Sequence, residues 1–351
     1  MEDMGISFWN EKKVLVTGHT GFKGTWLTIW LDKLGAKIAG YSLKDYPNDI
    51  LYKECQLSKK ILDTRGDILD FETLNALFKR FNPEIVFHLA AQPLVRVSYE
   101  EPIKTFNANI LGTSHVLECI KTTDSVQAGV FVTSDKCYEN NEWVWGYRED
   151  DVLQGQDPYS CSKSCAELVV ASYRESYLKK LSKFVGTARA GNVIGGGDWA
   201  QDRLIPDCIK SLKENKVIEI RNPQSTRPWQ HVLEPLSGYL ILAQKLYEKE
   251  RVDSAWNFGP GLESILPVKD VVEKFIKKWG RGKWIDISNK EELHEAKSLS
   301  LDISKAYFLL KWKPRIDIDE ALNMTVDWYK KHGKKSSYQM CLKQIQQYEK
   351  K

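Results

Sequence analysis

Three apolar residues, Val14-Leu15-Val16, run directly into Gly18-His19-Thr20-Gly21-Phe22-Lys23-Gly24 and then into Trp26, Leu27, Trp30 and Leu31 at helical spacing. Strand, glycine turn and helix in that order restrict the fold more than anything else in the chain, because a parallel strand needs a crossover and a helix usually supplies it. Glycines there permit a tight turn and let N–H groups at a helix start approach a pyrophosphate. The spacing is Gly-x-x-Gly-x-x-Gly, not Gly-x-Gly-x-x-Gly, so the turn alone fits a dinucleotide site and a structural turn about equally. Its position straight after an apolar strand favours the dinucleotide.

The alternation repeats downstream. Lys37–Tyr41 reads as a strand, Phe71–Phe81 as a helix, Ile85–Leu89 as a strand, Asn109–Ile120 as a helix and Val130–Thr133 as a strand. A long helix is expected over Tyr159–Leu181 and a strand at Phe184–Ala188. Short apolar strands alternating with helices predict an α/β chain on a doubly wound, parallel sheet of Rossmann type. After Gly191 come Gly195-Gly196-Gly197, several prolines and shorter elements, which predict a smaller C-terminal substrate-binding domain. Trp256-Asn257-Phe258 reads as a strand returning to the main sheet, and helices are expected at Ile318–Lys330 and Ser337–Glu349. The expected division assigns residues 1–190 with about 232–262 to the dinucleotide domain and 191–231 with about 263–351 to the substrate side.

Composition removes several classes of function. The 51 Lys and Arg nearly balance 47 Asp and Glu, leaving +4 without a basic stripe, which argues against nucleic acid as partner. The seven cysteines are odd in number and include no Cys-x-x-Cys pair, so reduced thiols are expected, with neither a disulfide framework nor a metal site. Glu2 and Asp3 open a segment without an apolar signal core, and no stretch approaches the ~20 apolar residues of a membrane span; the expected compartment is the cytoplasm.

Two further segments carry chemistry. Pro158 starts a helix in which Tyr159 and Lys163, four residues apart, share one face, where an ammonium can favour the phenolate and lower the tyrosine pKa from ~10 towards that of a general base. Ser134-Asp135-Lys136 follows the Val130–Thr133 strand, and ligands of open parallel sheets bind beyond the carboxyl ends of strands. That tripeptide reads either as an acid/base pair bordering a nicotinamide or as a turn with a surface ion pair. The end of the second strand holds Tyr41, Ser42, Leu43 and Lys44 where an NAD site usually has an acid, so this feature does not separate NAD from NADP. Asp67, before Ile68, fits an adenine contact and a helix N-cap equally well. His88 reads as a satisfied core histidine.

The motif Gly18-His19-Thr20-Gly21-Phe22-Lys23-Gly24, together with His88-Leu89-Ala90-Ala91-Gln92-Pro93-Leu94-Val95-Arg96, Thr133-Ser134-Asp135-Lys136-Cys137-Tyr138 and Glu142–Glu149, resembles the CDP-glucose 4,6-dehydratases of the extended short-chain dehydrogenase/reductase superfamily. The likeness continues through Arg189–Trp199, Asp202–Asp207 and Arg227–Tyr239, covering the chain from Phe8 to about Trp328. It implies a hydro-lyase that turns CDP-glucose into CDP-4-keto-6-deoxyglucose for deoxysugar and lipopolysaccharide O-antigen precursors, with a bound NAD reduced and then reoxidised. Tyr159, assisted by Lys163, would take the 4-hydroxyl proton, and Ser134 would steady that hydroxyl. Lys136 would act as base at C5 and Asp135 as acid to the leaving water, although the opposite assignment or a shared role stays open. The related dTDP-glucose enzymes carry Glu at the position of Lys136.

The same likeness places the cofactor against Gly18, Thr20, Gly21, Phe22, Lys23, Gly24, Asp67, Ile68, Leu89, Ala90, Ala91, Tyr159 and Lys163. Asn192, Arg203 and Arg227 are the candidates for the diphosphate and its ribose, against a loop cap for Asn192 and surface ion pairs for the arginines. Of the twelve tryptophans, Trp26, Trp30, Trp279 and Trp328 are expected in the core, whereas Trp143, Trp145, Trp199 and Trp229 are expected to wall off nucleotide and sugar. A homodimer or homotetramer is implied, through the helices at Asn109–Ile120 and Tyr159–Leu181. Two other functions fit the fold: a nucleotide-sugar 4-epimerase, which has no need of the Asp-Lys pair, and a non-catalytic dinucleotide-sensing or RNA-binding protein, which needs no Tyr/Lys pair.

Overall fold

In the computed structural model the described residues are 6–288 and 298–351; Glu2 and Asp3 lie outside them. Strands β1 (Lys13–Thr17), β2 (Lys37–Ser42), β3 (Leu62–Arg65), β4 (Ile85–His88), β5 (Ala128–Val132) and β6 (Phe184–Arg189) are followed by shorter strands. These are β7 (Val193–Ile194), β8 (Ile218–Ile220), β9 (Thr226–Pro228), β10 (Gln230–His231), β11 (Ala255–Asn257), β12 (Ile265–Pro267) and β13 (Trp284–Asp286). The main sheet has seven strands in the order β11-β6-β5-β4-β1-β2-β3, every neighbour pair parallel. The central strands are buried on both faces, which is why they read as unbroken apolar runs. The order reverses between β1 and β4, and at such a switch point the carboxyl ends of two strands open a crevice. The remaining short strands form three two-stranded pairs, β10-β7, β12-β9 and β13-β8.

Strand β3 has no counterpart among the sequence expectations. Its Leu-Asp-Thr-Arg is an edge strand with no fully buried residue, so there is no apolar run to read. The helix Phe71–Phe81 forms as expected, turning Leu74, Leu77 and Phe78 inward, but its cap is Asp70, whose Oδ1 accepts from Thr73 N at 3.0 Å. The capping role considered for Asp67 is therefore corrected: that side chain accepts from Leu69 N at 2.9 Å, within its own turn. The helix predicted over Tyr159–Leu181 is regular only from Pro158 to Tyr173, then widens over Arg174–Leu178 and tightens over Lys179–Leu181. The helix expected to begin at Asn109 likewise starts inside a wide turn, Asn107–Leu111, before Gly112–Thr122.

Trp26, Trp30 and Trp328 are fully buried, as expected of core. Trp26 Nε1 donates to Gly196 O at 2.9 Å, pinning the glycine-rich loop to the helix Phe22–Lys33. Gly196 can be nothing larger, because a Cβ there would stand 2.1 Å from the Trp328 ring. The helix Ser337–Glu349 closes on the same helix: Trp30 Nε1 and Lys33 Nζ both donate to Glu349, and Tyr348 OH reaches Glu234 at 2.8 Å. Among the described residues no helix is long and apolar enough to cross a membrane, and no cluster of side chains has the makings of a metal site.

Candidate active site

The glycine turn joins β1 to the helix Phe22–Lys33. Gly18 holds φ at +72°, and a Cβ there would lie 2.6 Å from Ala90 N at the end of β4. An L side chain is excluded twice, by backbone conformation and by the neighbouring strand end. Gly21 precedes the helix without any side-chain cap, so the first N–H groups of that helix stay available to an anion. The turn is held by Thr17, whose Oγ1 accepts from Ala90 N at 3.3 Å and pairs with His88 Nδ1 at 2.7 Å. His88 Nε2 meets Thr113 Oγ1 at 3.1 Å, and burial lowers its pKa to about 3. It is the satisfied neutral histidine that the sequence indicates. A dinucleotide therefore fits the turn, with the helix start facing its pyrophosphate.

Tyr159 and Lys163 come from the helix Pro158–Tyr173. Asp157 caps it, accepting from Ser160 N at 2.9 Å, an interaction worth ~1 kcal/mol, and Pro158 supplies the preset first φ. Tyr159 N donates to Ser98 Oγ at 3.1 Å, and Ser162 on the helix receives Asn109 Nδ2 at 2.8 Å. Asn109 also clamps Gln92, which ties the loop after β4 to this helix. Lys163 is buried, with Nζ donating to Val132 O at 3.3 Å, and burial lowers its pKa to about 8. The expectation of a phenol lowered by its lysine is overturned for the protein alone: burial pushes Tyr159 up to about 12, with the Ser134 hydroxyl pulling against it. Desolvation of the ring outweighs the Ser134 hydrogen bond and the charge of Arg203.

Ser134-Asp135-Lys136 leaves β5 in a short turn, with Ser134 Oγ donating to Asp135 Oδ1 at 3.0 Å and accepting from Lys136 N at 3.2 Å. Asp135 is 2% exposed, and its Oδ2 has no hydrogen-bond partner within the protein. The space for that oxygen exists because residue 191 is glycine: a Cβ on Gly191 would stand 1.9 Å from Asp135 Oδ2. Lys136 is half-buried beside it. Behind this strand end a buried pair braces β5 against β6, where Arg189 donates to Glu167 Oε2 at 2.8 Å while Thr133 and Thr187 donate to the same carboxylate.

One cleft of about 340 Å³ gathers most of the candidates. Phe22, Lys23, Leu89 and Ala91 line its dinucleotide side. Ser134, Asp135, Lys136, Tyr159 and Lys163 line its centre, and Asn192, Arg203 and Arg227 its far side. Asn192 holds φ at +27°, a conformation asparagine tolerates better than most residues. Arg203 Nη1 donates to Asp198 Oδ2 at 3.0 Å, whereas Arg227 is 6% exposed and is no surface residue. Gly18, Thr20, Gly21, Gly24 and Ala90 build the turn behind the cleft, and Asp67 and Ile68 stand off beyond β2, outside its lining.

The tryptophan expectation holds for one residue of four. Trp229 lines the cleft, but Trp143 and Trp145 are 37% and 60% exposed and stand off from it. Trp199 packs on Tyr329 and His332. Loop placement alone could not tell an inward ring from one stacked on a neighbouring tyrosine, as Trp143 is on Tyr147.

Lys23, expected against the cofactor, lines the same cleft as the catalytic candidates; burial lowers its pKa to about 8, with Arg203 and Lys163 adding repulsion. Sequence reasoning missed Asp198, which partners Arg203, and Asp202, which partners Arg221 and also lines the cleft, because acids in an irregular segment look like loop surface.

Fold and site define the class: a doubly wound dinucleotide-binding enzyme with a Tyr-x-x-x-Lys pair, as in the extended short-chain dehydrogenase/reductases. The family model for GDP-mannose 4,6 dehydratase matches residues 15–325. A CDP-glucose 4,6-dehydratase of Salmonella typhimurium is 50% identical over 331 residues, covering 92% of each chain. Among solved structures, a dTDP-glucose 4,6-dehydratase of Bacillus anthracis in complex with NAD superposes with a TM-score of 0.79 at 23% identity, over 92% of this chain and 98% of its own. A UDP-glucose 4-epimerase of Thermotoga maritima with UDP-glucose superposes with a TM-score of 0.78 at 21% identity, over 91% and 99%. The last two speak to fold alone. This chain belongs to the nucleotide-sugar 4,6-dehydratase family.

Proposed function

We propose that the protein is a CDP-glucose 4,6-dehydratase, a hydro-lyase that converts CDP-glucose to CDP-4-keto-6-deoxyglucose and water with NAD as its cofactor. The observation that carries this reading is the Asp135-Lys136 pair at the end of β5, in one cleft with Tyr159 and Lys163. Oxidation at C4 alone, as in an epimerase, gives such a pair nothing to do. The identity to the Salmonella enzyme supports the cytidine branch. When bound, NAD supplies the acceptor for the C4 hydride and the donor that returns it to C6.

The protein's own groups handle the protons. Tyr159 takes the proton of the 4-hydroxyl, Ser134 holds that hydroxyl, and the Lys163 ammonium, anchored on Val132 O, sits one turn along. The resulting 4-ketone acidifies C5–H. Lys136 removes that proton, and Asp135 delivers one to the departing 6-hydroxyl, leaving as water. Asp135 is suited to the task because its Oδ2 is unengaged by any protein donor while Ser134 fixes its Oδ1. Arg203, Arg227 and Asn192 hold the diphosphate and ribose in this scheme, and Trp229 closes that side.

In the same reading, residues 1–190 with about 232–262 serve the cofactor, and 191–231 with about 263–351 the nucleotide sugar. The proposed compartment is the cytoplasm, in keeping with seven cysteines none of which is in a disulfide. The proposed assembly is a homodimer or homotetramer, supported by Leu111 and Leu168, which stand 47% and 58% exposed on the two helices expected at the interface. The product would feed deoxysugar precursors of polysaccharides, lipopolysaccharide O-antigen among them.

The test is to incubate the purified protein separately with CDP-, UDP-, dTDP- and GDP-glucose and to identify products by mass. A 4-keto-6-deoxy product from CDP-glucose is expected. A C4 epimer without loss of water would select the epimerase, and no reaction with any substrate would refute the dehydratase.

A further inference from the structure

Among the described residues three acids line the cleft, and the chemistry above uses two of them. Asp135 belongs to the reacting centre. Asp198 is 5% exposed and spent, its Oδ1 accepting from Ala200 N at 3.2 Å and its Oδ2 from Arg203 Nη1 at 3.0 Å. Asp202 is left over. Its Oδ1 accepts from Arg221 Nη1 at 2.9 Å, and Arg96 Nε, from the helix Val95–Glu100, stands 4.0 Å from the same oxygen. Among the described residues no donor engages Oδ2, and 43% of the side chain is exposed. The result is a carboxylate fixed through one oxygen, with the other open, on the wall of the cleft.

Its neighbours place it on the nucleotide side. Burial dominates the pKa shifts of Tyr159 and Lys23, but both also feel the charge of Arg203, so that guanidinium faces the reacting centre. Asp202 and Arg221 act on Asp207 in the helix Leu204–Lys213: burial raises that carboxyl to about 6, Asp202 raises it further and Arg221 opposes. Arg221 itself follows directly on β8. A nucleotide sugar with its hexose at Tyr159 and its diphosphate at Arg203 and Arg227 carries its base onward into this layer, where Leu204 and Pro206 line the cleft with apolar surface for a flat ring.

An ionised carboxylate accepts hydrogen bonds and donates none. Cytosine presents an amino donor at C4, whereas uracil and thymine present a carbonyl acceptor at the same place. An open carboxylate oxygen therefore attracts the first base and repels the other two, and an opposed pair of acceptors rejects more strongly than a missing contact. We infer that Asp202 reads the base of the nucleotide sugar, its Oδ2 accepting from the exocyclic amino group of cytosine, and that Arg221 is the residue that positions it. The inference rests on the nucleotide-sugar reading of the cleft and names the side chain that sets the choice of nucleotide.

The test is a calorimetric titration of the whole protein, with NAD present, using CDP, UDP and the diphosphate of the 4-deamino analogue of cytidine, which keeps the ring and lacks the amino group. CDP is expected to bind about tenfold or more tighter than UDP, and the analogue about tenfold more weakly than CDP. Asp202 holds φ at +58°, which asparagine tolerates, so Asp202→Asn keeps the backbone and supplies an amide that can also donate to a uracil carbonyl. In that variant the ratio of CDP to UDP affinity is expected to fall within about threefold, and turnover of CDP-glucose to lose in KM while kcat stays within about threefold. The analogue titration needs no variant and decides the matter should Asp202→Asn not fold. Equal binding of CDP and the analogue overturns the inference, as does an unchanged CDP to UDP ratio in Asp202→Asn, and either result leaves the dehydratase reading standing. Failure of every nucleotide to bind would strike the nucleotide-sugar reading and this inference with it.

Discussion

Gly191→Ala isolates the contribution of Asp135 without touching a reacting group. The added methyl carbon would stand 1.9 Å from Asp135 Oδ2, where ordinary contact begins at 3.4 Å, so the carboxyl must retreat by about 1.5 Å or rotate off its Ser134 hydrogen bond. Gly191 is not among the positive-φ glycines, so the strain is one of space and not of backbone conformation. A displacement of ~1 Å from productive geometry costs on the order of a hundredfold in rate, equivalent to ~2.7 kcal/mol of barrier. Dehydration should fall by about that factor. Oxidation at C4 depends on Tyr159 and Ser134 and should fall by less than about tenfold. Both can be read on one preparation: nicotinamide absorbance after mixing with CDP-glucose reports the first half-reaction, and the alkali-induced chromophore of the 4-keto product reports turnover. A variant that folds, binds the dinucleotide and still dehydrates at the wild-type rate would refute the role given to Asp135. So would equal loss of both half-reactions.

Five further variants have expected outcomes. Tyr159→Phe should abolish cofactor reduction, whereas Lys136→Ala should still reduce cofactor and fail to release 4-keto product; stopped-flow absorbance separates the two. Lys163→Met should raise the melting temperature near pH 7 while destroying activity. Its folded pKa of about 8 lies below the usual 10.5, so charging it in place is a cost present below pH 8 that fades as pH rises towards 10.5, and the melting gain should shrink over that window. Glu234→Gln should stabilise the protein above pH 7: burial raises that carboxyl to about 7, so the native state loses stability as pH rises from 4.5 through 7, and calorimetry across that range should show the slope flattened. Glu167→Ala leaves Arg189 charged and buried, and should cost ~3–5 kcal/mol in urea unfolding.

Legibility from sequence followed physical cause. Central strands announce themselves because burial on both faces leaves an apolar run, as in Ile85–His88; the edge strand Leu62–Arg65 has no such constraint and stayed hidden. Tyr159, Lys163, Ser134 and Asp135 were legible because they sit at fixed offsets from strand ends and helix starts. The Tyr159 pKa was not, since a spacing fixes proximity to a charge but says nothing of how much water the fold removes. The same limit explains the tryptophans: Trp143 and Trp229 lie in similar loop sequence, and only tertiary packing sends one to a neighbouring tyrosine and the other to the cleft. Gly191 carries no signal of its own in the sequence, because the reason for its size is a carboxylate 56 residues earlier in the chain.

The clasp between Trp30 and Glu349 spans 319 residues of chain. During synthesis the helix Phe22–Lys33 leaves the ribosome long before its partner, Ser337–Glu349, has been made, so the face that carries Trp30 and Lys33 stays uncovered through most of translation. Contacts this remote are late and slow to form, and strand β11 must also find β6 across the intervening residues 190–254. The nascent protein is thus a nucleotide-binding half waiting on its far end, and its demand for chaperone protection should depend on how fast it is translated.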